Sequence, residues 1–542
     1  MSQPQKQNFL HGAAILAFGV VIMKILGAIY KIPLQNILGD TGYGYFNAAY
    51  VIYNVLLTIA TAGLPVALSR MISETNTLGR PKQAKRIFNV ATATLFVLGF
   101  LFSALMFFFP TEMAVLFVSK PEISECVYAL SPAVLLVCVT SAFRGYIQGH
   151  GNMKPTTVGQ VLEVLVKVIV GLALAILFTR AGKSLPVSSA GAIFGVTAGA
   201  LAALAYMLLC YLRDYRGRSL EAIRESDDKP DSVGATFRSF IRIGVVITIG
   251  ASVMSVISLI DTKLIQEQLP RVPGIGKALA DELYGSYSAM QTLYNLPAAF
   301  ITPMSIAVVP AISAAAAHRE YREAGLIAES GMRISAVLAM PMGVGLAVLA
   351  DPIVHVLYKD TNELGPTILV YLAIASVFVC VTLVTNAILQ AGGNEKLPIL
   401  SMIAGGAVKI GANLLLVGRP SVNILGAPIG TILCYAVICL MNCFFISRTQ
   451  RFKPRYGSVF LRPLVSAAVM GAAAWAVYRL AEKILHAGAG GSRMLLIAEM
   501  GAAIVAAVVV YLVMVIVTRA VTSEDMKLIP KGEKLAKLLR IR

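Results

Sequence analysis

The chain has 542 residues, of which 57% are hydrophobic and 14% are charged, and its mean hydropathy is +0.76. Globular proteins carry about 25% charged residues, so the composition excludes a soluble globular protein and indicates an integral membrane protein. In such a protein the net charge of +18 first reports orientation in the membrane, and no nucleic-acid partner is predicted. The seven cysteines lie in apolar segments without metal-ligand spacing, so no metal site is predicted.

Apolar runs of about 20 residues, the length that crosses about 30 Å of hydrocarbon as a helix, recur along the whole chain. They predict an all-α polytopic membrane protein with fourteen transmembrane helices. The first run is interrupted by Lys24 and lacks a cleavage site of small residues, so we interpret it as a retained helix. The approximate cores are residues 9–31, 45–69, 87–109, 126–148, 157–179, 187–212, 240–262, 284–310, 326–349, 366–390, 398–417, 424–447, 459–482 and 493–518.

Basic residues predict the orientation. Alternate connections and both tails hold about 30 of the 46 Lys and Arg residues, and the opposite connections hold about 12. Both termini are therefore predicted to be cytoplasmic, and the basic inner surface would face anionic lipid headgroups. Residues 519–542 predict a basic amphipathic cytoplasmic tail.

A repeated phrase predicts an internal duplication. QGHGNMKP (residues 148–155) returns as QAGGNEKLP (residues 390–398), and the same offset of 242 residues places Lys167 on Lys409. Two parallel six-helix lobes follow, because an even number of helices starts both copies on the same side of the membrane. The predicted division is an N-lobe with a linker (1–225), a C-lobe (226–450), two additional helices (451–518) and the tail (519–542), and the polar join around residues 213–239 predicts a flexible cytoplasmic linker.

The phrase itself favours a tight turn. Gly149, Gly151 and Asn152 can take the left-handed conformation that ends a helix, and Pro155 suits the first turn of the next helix. Asn152 and its counterpart Asn394 are therefore interpreted first as turn residues, with direct contact to a substrate as the alternative.

Lysines inside predicted helices indicate an anion site. A charge at mid-membrane costs at least about 2.5 kcal/mol and usually faces a cavity or a partner. Lys167 and Lys409 lie about 16 to 18 Å from their turns along the helices, and Lys24 lies at a similar depth. We predict that these three ammonium groups meet in a central cavity. Lys31, one heptad after Lys24, would extend the basic lining, although it could also reach water at the helix end.

Other charges leave alternatives open. Glu163 precedes Lys167 by four residues, so the two could instead neutralise each other along one helix. Arg144 could reach the cytoplasmic interface. Arg70 and Glu74, also four residues apart, are interpreted as a gate or an interfacial pair.

Sequence features argue against an enzyme. The chain has no GxxxxGK[ST] motif for nucleotide phosphates and no DxD motif, and its longest outer connection is about twenty residues (262–283). We predict a transporter without a cofactor.

Several motifs resemble a known family. They are KILGAIYKIPL (24–34), LGDTGYGYFNAAY (38–50), TAGLPVALSRMISE (61–74), both QGxGN-type turns, and SEDMKLIPKGEKLAKLL (523–539). With these motifs the chain resembles, over essentially its whole length, the multidrug/oligosaccharidyl-lipid/polysaccharide (MOP) exporter superfamily. Within the polysaccharide biosynthesis branch of this superfamily, it resembles the stage V sporulation protein B-like family. That family is similar to Gram-positive lipid II flippases.

The resemblance implies a flippase of the bacterial cell membrane, with two lobes around a central cavity and two further helices that form a groove for a lipid tail. Its substrate would be an undecaprenyl-diphosphate-linked saccharide, first of all the peptidoglycan precursor lipid II, and a coupling ion could take part. Arginines line the cavity of Gram-negative relatives, and here only Lys24 matches, since Thr292 stands where another arginine is expected. The alternatives are a cation-coupled multidrug antiporter, an exporter of another lipid-linked polysaccharide unit, a membrane glycosyltransferase and a scaffold.

Overall fold

The computed structural model describes residues 3–450, 454–486, 493–522 and 525, and helices dominate these residues. The helices are α1 (Gln3–Thr61), α2 (Leu64–Thr77), α3 (Pro81–Phe108), α4 (Pro110–Val118), α5 (Ser124–Gly149), α6 (Lys154–Arg180), α7 (Leu185–Cys210), α8 (Arg216–Glu225), α9 (Val233–Gln268), α10 (Lys277–Tyr294), α11 (Leu296–Ala317), α12 (Tyr321–Val348), α13 (Ala350–Leu357), α14 (Gly365–Ala391), α15 (Lys396–Leu416), α16 (Gly426–Thr449), α17 (Tyr456–His486) and α18 (Arg493–Val517).

Helix α1 consists of two arms that meet at Gly39. The backbone there has φ 68° and ψ 176°, a conformation that is essentially restricted to glycine. The chain reverses direction at this point, because the rings of Tyr30 and Phe46 lie 6.0 Å apart whereas a straight helix would separate these residues by about 24 Å. Beside the break, the amide of Gln35 donates a hydrogen bond of 2.7 Å to the carboxylate of Asp40.

Thirteen helical segments of the described residues are long and apolar enough to cross a membrane. The first of them, Ile25–Thr77, contains the reversal at Gly39 and covers the end of the first predicted crossing and all of the second. The predicted segments therefore all have helical counterparts. The prediction of an all-α polytopic membrane protein is confirmed.

The chain divides into two compact units. The first comprises Met1–Glu267 with Ala280–Gly285, and the second comprises Gln268–Leu279 with Ser286–Arg542. This division differs from the predicted boundary at residue 225, because α9 belongs to the first unit and its Gly244 packs directly against Gly63. The assignment of residues to two six-helix lobes stays a prediction.

The polar join after α7 is docked onto α3, in contrast to the flexible linker that its composition predicts. The carboxylate of Asp228 accepts hydrogen bonds of 3.1 Å from the backbone N–H groups of Lys82 and Gln83. Arg80 forms an ion pair of 3.1 Å with Asp231. The reason is local, since the first turn of a helix leaves N–H groups unbonded and a carboxylate satisfies them.

Both repeated phrases form tight turns at the predicted spacing. Gly151 and Gly393 have φ of 80° and 76°, and α6 and α15 begin at Lys154 and Lys396. Gly149 is the last residue of α5, so of the three residues considered for the left-handed conformation in the first turn only Gly151 adopts it.

The second unit is organised around α12. This helix packs against α11, α14 and α17, and α17 packs against α18. A cluster of buried apolar side chains, among them Ile312, Met332 and Ile388, fills the space between α11, α12 and α14. The two C-terminal helices are thus attached to the second unit through α12.

Candidate anion-binding site

Lys167 lies on α6 against an aromatic ring of α1. Its ammonium nitrogen is 5.9 Å from the centroid of the Tyr30 ring, a distance at which a cation is attracted to the ring face. Tyr30 is 2% exposed, and its hydroxyl donates a hydrogen bond of 2.9 Å to the carbonyl of Ala192 on α7. Three helices therefore fix the ring that holds this cation.

Two glycines of α7 allow this helix to pack closely against the turn of α6 that carries Glu163 and Lys167. A Cβ atom added to Gly195 would lie 2.6 Å from the carbonyl oxygen of Lys167, and one added to Gly199 would collide with the carbonyl oxygen of Glu163. Only glycine allows this backbone approach. The positions of Glu163 and Lys167 are thus determined by helix packing.

Lys31 joins Lys167 in the same unit. It lies on the first arm of α1, its side chain is half-buried, and its ammonium group is within electrostatic range of Lys167 and of Tyr50. Two like charges that act on each other are mutually destabilising, so an anion bound beside them would be favoured. The first arm of α1 and helix α6 therefore form a small cationic surface, which consists of Lys31 and Lys167.

Glu163 does not serve as the counter-ion of this surface. Its carboxylate is 2.5 Å from a guanidinium nitrogen of Arg144 on α5, and the two side chains are 24% and 14% exposed. Tyr53 lies within electrostatic range of both groups. The two alternatives drawn from the sequence, a Glu163–Lys167 pair and an Arg144 that reaches the interface, are therefore corrected to an Arg144–Glu163 pair between helices.

The remaining predicted residues lie apart from this surface or outside the description. Lys24 is on the first arm of α1, but its side chain is outside the described part of the structure. Lys409 is 8% exposed and lies on α15 of the second unit. Arg70 and Glu74 are exposed on α2. The structure thus places Lys31 and Lys167 within electrostatic range of each other, and the convergence of Lys24 and Lys409 with them stays a prediction.

The two turn asparagines make hydrogen bonds within their own turns, and Asn152 also bonds to a residue beyond the end of α7. Asn152 donates one of 3.1 Å to the hydroxyl of Tyr215 and accepts one of 3.2 Å from the backbone N–H of Lys154. Asn394 donates one of 3.1 Å to the carbonyl of Gly392. This geometry is typical of the turn role, and the contact with a substrate stays an untested alternative.

Among the described residues, two clusters of buried charged side chains were not predicted from the sequence. In the first unit, Lys120 forms an ion pair with Asp281, which also accepts a hydrogen bond of 3.2 Å from Tyr45. In the second unit, Arg333 of α12 pairs with Asp525 at 3.0 Å and with Glu329 at 2.6 Å. Only the spacing of Glu329 and Arg333 was available as a signal, since the other partners are more than 150 residues apart.

An apolar cavity of about 440 Å³ lies in the second unit. Helices α11, α12, α13, α17 and α18 contribute to its wall, and its lining includes Phe300, Leu346, Leu349, Ile504 and Val508. Such a wall favours hydrocarbon and disfavours charged groups.

Comparisons with known proteins agree with this architecture. Residues 9–316 match the family described as polysaccharide biosynthesis protein, and residues 278–415 match the MatE family. Stage V sporulation protein B of Bacillus subtilis (strain 168) is 25% identical over 454 residues, which cover 82% of this chain and 84% of that protein. The lipid II flippase MurJ of the same organism is 25% identical over 485 residues, which cover 86% of this chain and 88% of that protein.

A solved structure shares the fold. The lipid II flippase MurJ in an inward closed conformation superimposes with a TM-score of 0.65 at 14% identity, covering 93% of this chain and 99% of that one. These findings confirm the resemblance to the MOP exporter superfamily. Because the first family match spans more than half of its length, the chain belongs to the polysaccharide biosynthesis protein family.

Proposed function

We propose that this protein is a flippase that moves an undecaprenyl-diphosphate-linked saccharide, first of all lipid II, from the inner to the outer leaflet by alternating access. The names of its relatives support a lipid-linked substrate, since the chain is similar to a lipid II flippase over most of its length. The proposal also requires a site for a charged headgroup and a separate site for a hydrocarbon tail.

The observation that carries the proposal is the pair of ammonium groups on α1 and α6. A diphosphate that enters bare hydrocarbon meets a cost of tens of kcal/mol. Lys31 and Lys167 would offset much of this cost, because Glu163 is engaged by Arg144 and neither lysine forms an ion pair with a carboxylate among the described residues. In the proposal, Lys24 and Lys409 complete the headgroup site from the central cavity.

The apolar cavity of the second unit suits the prenyl tail. Its lining comes from α17 and α18, the two helices beyond the duplicated part, together with α11 to α13. A tail that stays in contact with this wall would not have to cross water while the headgroup moves. Arg70 and Glu74 are proposed as a gate at the cytoplasmic side, and both termini are proposed to be cytoplasmic.

Substitution of the cationic surface tests the proposal. In vesicles reconstituted with purified protein, Lys31→Ala and Lys167→Ala are each expected to slow translocation of a lipid-linked diphosphate about tenfold or more, because each removes a charge-assisted contact to phosphate. Lys183→Ala, which removes an exposed lysine of a loop, is the matched control and should retain the normal rate.

Unchanged rates in both variants would remove this headgroup site. Efflux of a cationic dye that depends on an ion gradient, without transport of the lipid-linked diphosphate, would instead support the multidrug antiporter. Thermal unfolding of each variant separates a loss of transport from a loss of folding.

A further inference from the structure

A second cavity, of about 580 Å³, lies in the first unit between α3, α5 and the end of α7. Lys85 and Arg216 lie at one end of its lining, near the start of α3 and the start of α8. Apolar side chains continue along the helices from there, among them Phe96, Val139 and Leu212. The cavity shares none of its lining residues with the proposed headgroup site.

Lys85 is held at the cavity by aromatic groups. Its ammonium nitrogen donates a hydrogen bond of 3.2 Å to the hydroxyl of Tyr211 and lies 5.4 Å from the centroid of the Phe88 ring. Tyr211 is 7% exposed and packs against Phe88 and Phe143 with ring centroids 5.2 Å and 5.3 Å away. These partners orient the cation without neutralising it, because a phenol carries no charge in its ordinary state.

An irregular turn brings the second cation to the same place. Residues Tyr211–Tyr215 form a π-helical turn between α7 and α8. In a regular α-helix, residues five positions apart point about 140° away from each other, whereas the wider π turn brings them nearer to the same side. The π turn therefore allows both Tyr211 and Arg216 to face the cavity. Such turns are frequent at functional sites.

We propose that this cavity binds an anionic phospholipid of the inner leaflet, with its phosphate at Lys85 and Arg216 and an acyl chain along Phe96, Val139 and Leu212. Two cations at one end of an apolar groove complement an anionic headgroup with a hydrocarbon chain, and they repel the ammonium of a zwitterionic headgroup. The predicted orientation places this end of α3 on the cytoplasmic side, where anionic lipids attract basic residues. The inference does not depend on the identity of the transported substrate.

Lipid titration of the full-length protein tests the site. Native mass spectrometry in detergent would compare phosphatidylglycerol with phosphatidylcholine for the wild type and for Lys85→Gln/Arg216→Gln. We expect phosphatidylglycerol to bind about fivefold more weakly for each charge removed, and phosphatidylcholine to bind weakly throughout. Arg238→Gln/Arg242→Gln is the matched control, because it removes the same charge from exposed positions of α9 and should leave phosphatidylglycerol binding unchanged.

Equal losses in both double variants would overturn the proposal, since they would show diffuse attraction to a basic surface. Ala93→Trp keeps every charge and fills the groove, so it is expected to reduce phosphatidylglycerol binding, and normal binding by this variant would also overturn the site. Undecaprenyl diphosphate provides the last comparison. If Lys85→Gln/Arg216→Gln weakens its binding as strongly as that of phosphatidylglycerol, the cavity is a substrate site and the proposal is wrong.

Discussion

Arg144 and Glu163 show how neighbouring charges inside one unit take different roles. The two form an ion pair between α5 and α6, whereas Lys167, one turn after Glu163, is left against an aromatic ring. A paired charge is stabilised within the protein, and a cation without its own carboxylate favours an external anion. The same short stretch of α6 thus contributes one residue to structure and one to the proposed site.

This distinction makes a prediction about Glu163→Gln. The substitution leaves Arg144 largely buried without its counter-charge, so the free energy of unfolding should fall by about 3 kcal/mol. The double variant Arg144→Gln/Glu163→Gln should regain most of the loss. Thermal unfolding can be followed with a thiol-reactive dye, because the described cysteines are buried or half-buried. Normal stability of Glu163→Gln together with reduced transport would instead indicate a carboxylate that acts in coupling.

Sequence reasoning located these ionisable residues but did not pair them correctly. The spacing of Glu163 and Lys167 is a local signal, and it pointed to a pair within one helix. Arg144 lies on another helix, so its contact with Glu163 depends on how α5 packs beside α6. The contribution of Tyr30 was missed for the same reason, since no local pattern links it to Lys167.

At the scale of elements, a short segment after α18 is attached to α12. Asp525 is fully buried, and its carboxylate accepts hydrogen bonds from Arg333 and from the hydroxyl of Thr522. The ion pair therefore connects the end of the C-terminal helix pair to the central helix of the second unit. Asp525 belongs to the predicted amphipathic tail, of which residues 523–524 and 526–542 lie outside the described residues.

Asp525→Ala is expected to destabilise the second unit. Arg333 would stay buried with one of its two carboxylates missing, and the free energy of unfolding should fall by about 3 kcal/mol. Glu363→Ala, which removes the same charge from an exposed position of the second unit, is the control and should unfold near the wild-type temperature. Equal shifts for both variants in calorimetry would show that only net charge matters.

Elements were predictable where their signals are local. The starts of α6 and α15 follow from a glycine and a proline in each repeated phrase, and both agree with the structure. The docking of Asp228 on α3 was not predictable, because its partners lie about 145 residues earlier in the chain. Polar composition alone therefore suggested flexibility for a segment that is hydrogen-bonded.

At the scale of the whole molecule, the proposed transport moves charge across the membrane. A diphosphate headgroup carries about two negative charges, and a potential negative inside favours its outward movement by roughly 4 to 5 kcal/mol per 100 mV. This driving force would make nucleotide hydrolysis unnecessary. Dependence on membrane voltage would also distinguish such a flippase from an exchanger, in which a coupled cation compensates the charge of the substrate.

Membrane voltage is therefore expected to control the rate. In vesicles with a potassium diffusion potential, 100 mV negative on the donor side should accelerate translocation of the lipid-linked diphosphate about tenfold or more. A neutral lipid of similar tail length is the control and should show no such effect. A rate that ignores voltage but follows a sodium or proton gradient would contradict a voltage-driven mechanism and identify a coupling ion.

The reversal at Gly39 has a mechanical consequence. Because the second arm of α1 returns beside the first, Tyr50 lies near Lys31, and Tyr53, whose ring is 5.6 Å from that of Tyr50, lies near Glu163. Lys31 is consequently on the first arm of this hairpin, and the second arm lies beside Glu163 of α6. A tilt of this hairpin would move Lys31 and would at the same time change the surroundings of Glu163. Binding of a phosphate at Lys31 would then alter the hydration of the Arg144–Glu163 pair.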